Sequence, residues 1–313
     1  MKRTTRFRQL VERPEILLLP GIHDALSAKI AEQAGFEAIT CGGYATSATL
    51  LGEPDSSQLS LTEMADHYAR LCDAVSIPVF GDGDTGFGNV TNVGRTVRLF
   101  ERAGLGGMFI EDQVFPKRCG HTPGKAVIST EEMAGKLKAA LDARSDPEFV
   151  LMARTDAIAV NGLDDALERM ALYREVGADL LFVEAPKSVE DMHRICTELD
   201  GPCLANMIEG GQTPVLPLAD LQEIGFAVAT YPVAATHLVA GVMRDFMAHL
   251  AATGTAVGYD GAMVGFEEFH AMVGLGGLRQ REQDYLDYAE RLTTKRTPRA
   301  TVDQQIEQKT QGR

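Results

Sequence analysis

Lys117-Arg118-Cys119-Gly120-His121 places a thiol between two cations and an imidazole. Such a neighbourhood can hold cysteine as an acid or a thiolate near neutral pH, with His121 as the electrostatic partner of Cys119. Upstream, Gly81-Asp82-Gly83-Asp84-Thr85-Gly86 carries two carboxylates one residue apart, and Glu111 supplies a third oxygen donor. Carboxylates spaced in this way can hold a hard divalent cation. Metal-assisted proton chemistry is the reading that joins the two clusters. Arg154, in Ala153-Arg154-Thr155-Asp156, either pairs with Asp156 or offers its guanidinium to a substrate carboxylate, and the second use is favoured. Asn206 to Pro214, which includes Thr213, has amide and hydroxyl groups suited to carboxylate or carbonyl oxygens, although an ordinary polar loop would read the same way.

The Gly81–Gly86 run also matches the spacing of a dinucleotide-binding fingerprint. That reading is rejected. Asp82 and Asp84 would stand where a pyrophosphate must approach, and the match follows the third apolar run rather than the first.

These residues need a scaffold, and about eight short apolar runs supply one: Ile16–Leu19, Ala38–Cys41, Ile77–Phe80, Gly107–Ile110, Phe149–Ala153, Leu180–Val183, Cys203–Asn206 and Phe226–Thr230. Amphipathic segments alternate with them, among them Leu61–Val75, Val93–Ala103, Thr130–Arg144 and Leu163–Val176. The alternation predicts an α/β fold of parallel strands with helices outside. Polar or small residues follow the strand ends at Gly42-Gly43-Tyr44, Asp82, Glu111, Arg154, Glu184, Asn206 and Tyr231-Pro232. A closed (β/α)8 TIM-type barrel gathers them at one mouth, whereas an open sheet would scatter them along an edge. Ala234–Ala252 reads as a long apolar helix and 261–288 as further helical sequence, so one barrel domain with a C-terminal helical extension is expected over 1–292, followed by a polar tail, 293–313.

The 313 residues are 45% hydrophobic and 24% charged, the balance of a globular chain. A formal charge of −14 repels nucleic acid and anionic lipid, so an anionic substrate must be met by a local cluster of Arg, Lys and metal. No apolar run approaches the ~20 residues of a membrane span. The five cysteines form no Cys-x-x-Cys pair, which fits reduced thiols and a cytoplasmic protein without membrane or nucleic-acid partners.

From Pro14 to Ala252 the chain resembles the isocitrate lyase and phosphoenolpyruvate mutase superfamily. The Lys117–His121 loop looks like the lyase signature. The Asp82–Gly88 run, Glu111-Asp112-Gln113, Ala153–Ala157 and Asn206–Pro214 match in the same order. The resemblance implies Mg2+, with Mn2+ able to substitute, held by Asp82, Asp84 and Glu111 with Asp55 nearby and partly through water. It implies Gly42, Gly43, Tyr44, Gly120, Glu184, Asn206 and Thr213 around a di- or tricarboxylate substrate, Arg154 at its charge, and Cys119 as general acid. Gly42 stands where related lyases often carry serine. A homotetramer that exchanges the helix after the last strand is also implied.

The implied reaction cleaves a 2-hydroxy dicarboxylate, of alkylmalate or 2-methylisocitrate type, into a 2-oxoacid and a carboxylic acid through an enolate. Tyr44, a metal-bound water or a carboxylate could be its base. Phe266 stands near the position where methylisocitrate lyases carry an arginine for the third carboxylate, which points to a smaller substrate. Pro232 resembles the dimethylmalate lyase branch rather than oxaloacetate hydrolases. A carboxyphosphonoenolpyruvate-type mutase shares the same loop, so rearrangement at phosphorus stays open, as does a non-catalytic binding barrel.

Overall fold

The computed structural model describes residues 1–120 and 124–294. The chain divides into two compact units, Met1–Gly261 and Ala262–Arg313. In the first unit all eight expected strands form, with boundaries shifted by at most two residues: β1 (Leu17–Pro20), β2 (Ile39–Cys41), β3 (Val79–Asp82), β4 (Gly107–Glu111), β5 (Val150–Thr155), β6 (Leu180–Val183), β7 (Leu204–Asn206) and β8 (Val228–Tyr231). β2 to β6 pair in order, and β7, β8 and β1 pair as a second parallel ladder. Parallel bridges Gly21–Thr40 and Leu181–Cys203 join the two ladders, so the sheet closes on itself as a barrel.

Successive strand side chains face opposite ways, which sorts the core into two layers. Leu17, Leu19, Phe80, Phe109, Met152, Phe182, Leu204 and Val228 fill the interior. Ile39, Val79, Met108, Ile110, Leu151, Leu181 and Ala229 pack outward, in one cluster with helix residues such as Tyr68, Phe100 and Tyr173.

The helix α1 (Arg3–Glu12) precedes the first of the apolar runs. Its Phe7, Leu10 and Val11, at helical spacing, belong to the interior cluster, and Phe7 stacks on Phe80 with ring centroids 5.1 Å apart. The outer helices follow the sequence pattern: α2 (Ala25–Gln33), α3 (Gly43–Leu50), α4 (Leu61–Ala74), α5 (Val90–Ala103), α6 (Thr130–Ala143), α7 (Leu163–Val176), α8 (Val189–Glu198), α9 (Leu218–Ile224) and α10 (Ala234–Thr253). Side chains start them, with capping boxes at Asp24/Ser27, Ser60/Glu63 and Asn89/Asn92.

The residues after β2 turn directly into a helix. Gly42 is the N-cap of α3, which places Gly43 and Tyr44 in its first turn, because the Gly42 carbonyl accepts from both the Thr46 amide (3.1 Å) and the Thr46 hydroxyl (2.9 Å).

In the second unit the expected helical stretch 261–288 is two helices, α11 (Phe266–Met272) and α12 (Leu275–Thr294). They are separated at Gly274, whose φ of 82° an L side chain disfavours. The expected boundary at 292 falls within the last turn of α12, and the tail beyond 294 lies outside the described residues. Among the described residues no helix is long and apolar enough to cross a membrane.

Candidate active site at the barrel mouth

Two ion clusters stand at the C-terminal ends of β3 to β6. The first is built around Lys117. Its ammonium, 3% exposed, lies 2.7 Å from Asp55 Oδ2 and 2.9 Å from Asp84 Oδ1. Burial would lower its pKa, but Asp84, Asp82, Glu111 and Asp55 outweigh burial and hold it well above the ordinary lysine value. Asp82 is oriented from both sides: Oδ2 accepts from the Gly43 amide (2.7 Å) and Oδ1 from the Asp84 amide (2.8 Å). Burial, seconded by Asp82 and Asp55 and opposed by Lys117, raises Asp84 to about 7. The turn needs Gly83 because a Cβ there would collide with Met108 and the Phe109 carbonyl, a packing demand unrelated to phosphate binding.

The second cluster is built around Arg154. Its Nε and Nη2 meet the Asp156 carboxylate at 2.9 and 3.2 Å, and Nη2 reaches Glu184 Oε2 at 3.0 Å. Burial would lower its pKa, but Asp156, Glu111 and Glu184 keep it well above its ordinary value. The guanidinium carbon lies 5.1 Å from the Phe182 ring centroid and 5.7 Å from that of Phe109, so the barrel floor presents its π faces to the cation. Asp156 is anchored in turn. Its Oδ1 lies 2.7 Å from Lys125 Nζ, and its amide donates to Asp112 Oδ1 (3.0 Å). Burial alone would raise Asp156, but Arg154 and Lys125 hold it down to about 2. The two expected uses of Arg154 are therefore not exclusive: the Asp156 pair exists, and it fixes the guanidinium at the mouth.

Glu111 joins the clusters. It is fully buried, lies 3.2 Å from Arg154 Nε, and has no hydrogen bond on either carboxylate oxygen. Burial lifts its pKa well above the usual range, against the pull of Arg154 and Lys117. Among the described residues no three His, Cys, Asp or Glu side chains form a group that could hold a metal ion by themselves. Mg2+, however, is commonly bound through one or two carboxylates and keeps several waters. Both Glu111 oxygens, buried without hydrogen bonds, together with the Asp84 carboxylate, whose Oδ1 meets the Lys117 ammonium, fit that donor set.

A cavity of about 220 Å3 opens above the clusters. Gly42, Gly43, Tyr44, Asp55, Asp82, Lys117, Cys119, Gly120 and Glu184 line it, together with Glu209, Pro232 and His237. Beneath lies an apolar hollow of about 70 Å3 whose wall includes Asn206, Phe109 and Phe182. Asn206 Nδ2 lies 3.3 Å from both Glu184 oxygens.

Thr213 is buried with its hydroxyl unbonded and does not line the cavity. Phe266 begins α11 in the second unit and is 75% exposed. His121 and Pro123 lie outside the described residues. The segment carrying Cys119 is tied down at Arg118: Gln113 accepts from the Arg118 amide (3.1 Å) and donates to its carbonyl (2.9 Å). Gly120 is obligatory, since a Cβ would come within about 2.5 Å of Arg154 and Glu184.

Sequence reasoning missed the seat of Lys117 among the acids, the Lys125 anchor and His237 in the cavity wall. Position in the Lys117–His121 motif could have flagged the first. Nothing local marks the others.

A closed barrel whose strand ends converge on buried acids, clamped cations and a cysteine-lined cavity is the architecture of a barrel enzyme. The chain belongs to the phosphoenolpyruvate mutase/isocitrate lyase superfamily, the phosphoenolpyruvate phosphomutase family model matching residues 7–251. It is 43% identical over 285 residues to 2,3-dimethylmalate lyase of Eubacterium barkeri, covering 91% of this chain and 99% of the relative. It is 42% identical over 294 residues to the chloroplastic carboxyvinyl-carboxyphosphonate phosphorylmutase of Arabidopsis thaliana, covering 93% and 87%. A solved 2,3-dimethylmalate lyase matches with a TM-score of 0.86 at 32% identity, over 91% of this chain and 96% of that one. A phosphonopyruvate hydrolase solved with oxalate and Mg2+ matches at 0.82 and 30%, over 91% and 100%.

Replacing Lys117 by Met should cost about 3–5 kcal/mol of stability, as expected for stranding buried carboxylates. The loss should be larger at pH 8 than at pH 5, because in acid Asp84, raised to about 7, can take up a proton. Urea unfolding at the two pH values measures it, and equal losses would contradict the charge assignment.

Proposed function

We propose that the chain is a Mg2+-dependent carbon–carbon lyase that cleaves an alkylmalate-type 2-hydroxy dicarboxylate into a 2-oxoacid and a carboxylic acid. The observation that carries the reading is the cavity itself. It brings Cys119 and Gly120 together with Asp82, Asp55 and Glu184 at the strand ends where Glu111 is buried beside Arg154. The likeness to 2,3-dimethylmalate lyase supports it.

Asp82, Asp84 and Glu111, with Asp55 nearby and partly through water, would hold Mg2+ or Mn2+, and the bound ion would supply Lewis acidity to the 2-hydroxyl and its carboxylate. Arg154, held in place by Asp156, meets the negative charge that develops as the carbon–carbon bond breaks. Gly42, Gly43, Tyr44, Gly120 and Glu184, which line the cavity, bind and orient the substrate with Asn206 in the hollow beneath; Thr213, given the same role by the resemblance, stands outside the cavity wall. Cys119 gives its proton to the enolate carbon, with His121 as its electrostatic partner. Phe266 is assigned to the discrimination against a third carboxylate on the strength of the resemblance, since an unpaired carboxylate against an aromatic ring is costly to bury.

The mutase is the second reading, favoured by the 42% identity to the Arabidopsis phosphorylmutase. Phosphorus NMR on a carboxyphosphonate substrate distinguishes it, because a lyase leaves the phosphorus signal unchanged.

The same reading includes a homotetramer with α10 exchanged between subunits. None of the twenty residues of α10 is buried within the chain, and Leu238, Met243 and Met247 are 67%, 49% and 50% exposed. Apolar surface of that extent on a helix implies a partner. Light scattering should give about four times the 33.8 kDa chain mass, and a monodisperse monomer would sink the assignment.

With Mg2+ present, kcat/KM for 2,3-dimethylmalate should exceed that for 2-methylisocitrate, and exhaustive chelation should abolish turnover of both. Full activity after chelation would refute the metal, and the reverse preference would mean that another cation meets the third carboxylate. Cys119→Ser should lower kcat at least about a hundredfold while calorimetric substrate affinity hardly changes, since a hydroxyl is a far weaker acid than a thiol of pKa ~8.5. Near-normal turnover in that variant would move the mutase reading to the front.

A further inference from the structure

Tyr44 and His237 meet at the edge of the cavity. Tyr44 stands in the first turn of α3, shortly after β2, and His237 in the first turn of α10, shortly after β8. The phenol oxygen lies 3.1 Å from His237 Nε2, and the rings meet edge to face with centroids 5.8 Å apart. Both side chains line the cavity that Cys119 lines.

Three of the carboxylates that line the cavity, all but Glu209, are already committed. Asp82 accepts from two backbone amides, Asp55 holds Lys117, and Glu184 bonds Ala185, Asn206 and Arg154. The Tyr44 oxygen has one neighbour of a different kind, an imidazole nitrogen able to take the phenol's proton. A phenol can accept a proton at the moment it passes its own to such a nitrogen, so the charge never rests on the tyrosine.

We propose that Tyr44 and His237 form the general-base relay of the cleavage, with Tyr44 the catalytic residue and His237 the residue that positions and discharges it; the proposal rests on the lyase reading above. The 2-hydroxyl proton moves to the Tyr44 oxygen while the Tyr44 proton moves to Nε2 of His237. The hydroxyl oxygen becomes the carbonyl of the 2-oxoacid, and the electron pair of the broken carbon–carbon bond passes to the enolate. Cys119 protonates that carbon. His237 then returns its proton to water and Cys119 takes one back, so no net proton is gained or lost. Acid and base thus stand on different walls of one cavity, Cys119 on the segment after β4 and the relay on α3 and α10.

The test starts from wild-type turnover of 2,3-dimethylmalate. Tyr44→Phe keeps the ring and removes one oxygen. It should lower kcat at least about a hundredfold with KM within about threefold, the signature of a lost general base rather than lost binding. His237→Gln should lower kcat about tenfold or more, and exogenous imidazole should restore much of the kcat of His237→Ala, which a purely structural role would not allow. Unchanged unfolding midpoints establish that the variants are folded. If wild type is active and either Tyr44→Phe or His237→Gln keeps kcat within about threefold, or imidazole gives no rescue, the relay is overturned while the lyase reading stands. A wild type inactive on every alkylmalate overturns the lyase reading and the relay with it.

Discussion

Everything at the barrel mouth depends on keeping opposite charges together out of water. Asp55, Asp82, Asp84, Glu111, Asp156 and Glu184 stand against three cations, Lys117, Lys125 and Arg154, nearly all of them buried. Each ion taken from water costs several kcal/mol and is retained only where its partners are close and well aligned. The acids outnumber the cations, and the consequence is visible in Asp84 and Glu111, which burial leaves reluctant to ionise. An unmet negative field of this kind is what a divalent cation relieves.

The side chains around the cavity are held rigid by the fold beneath them. Asp112 accepts from the Thr155 hydroxyl, the Asp156 amide and the Tyr173 hydroxyl at 2.7 to 3.1 Å, tying β4, β5 and α7 behind the Arg154 cluster. Phe109 and Phe182 support the guanidinium from below, and Phe80 and Phe7 continue the aromatic column toward the other end of the barrel. A displacement of Arg154 would have to disturb this column or break the Asp156 pair.

Much of this was legible in the sequence, for identifiable reasons. Strand and helix positions follow from alternating apolar runs and from amphipathic spacing, both local properties of the chain. Asp82, Asp84, Glu111 and Arg154 were legible because strand ends in a barrel converge, so position along the chain becomes position in space. What escaped depends on long-range partnership. Lys117 finds Asp55 sixty-two residues away and Tyr44 finds His237 a hundred and ninety-three away, separations that no window of sequence encodes. The helix α1 escaped because its apolar stripe is only three residues wide, enough to close the end of a barrel but too little to stand out.

The pairing of β1 with β8 imposes a timetable on the chain's birth. Leu17 lies beside Val228, so the first strand is made some two hundred residues before its neighbour exists. At about 5–20 residues per second that wait lasts roughly 10–40 s on the ribosome. Throughout it, one edge of β1 and the apolar face of α1 have no barrel to enter, and distant pairings of this sort are intrinsically slow to close. The same ring that finally removes every open edge leaves the nascent chain with a sticky one for most of its synthesis.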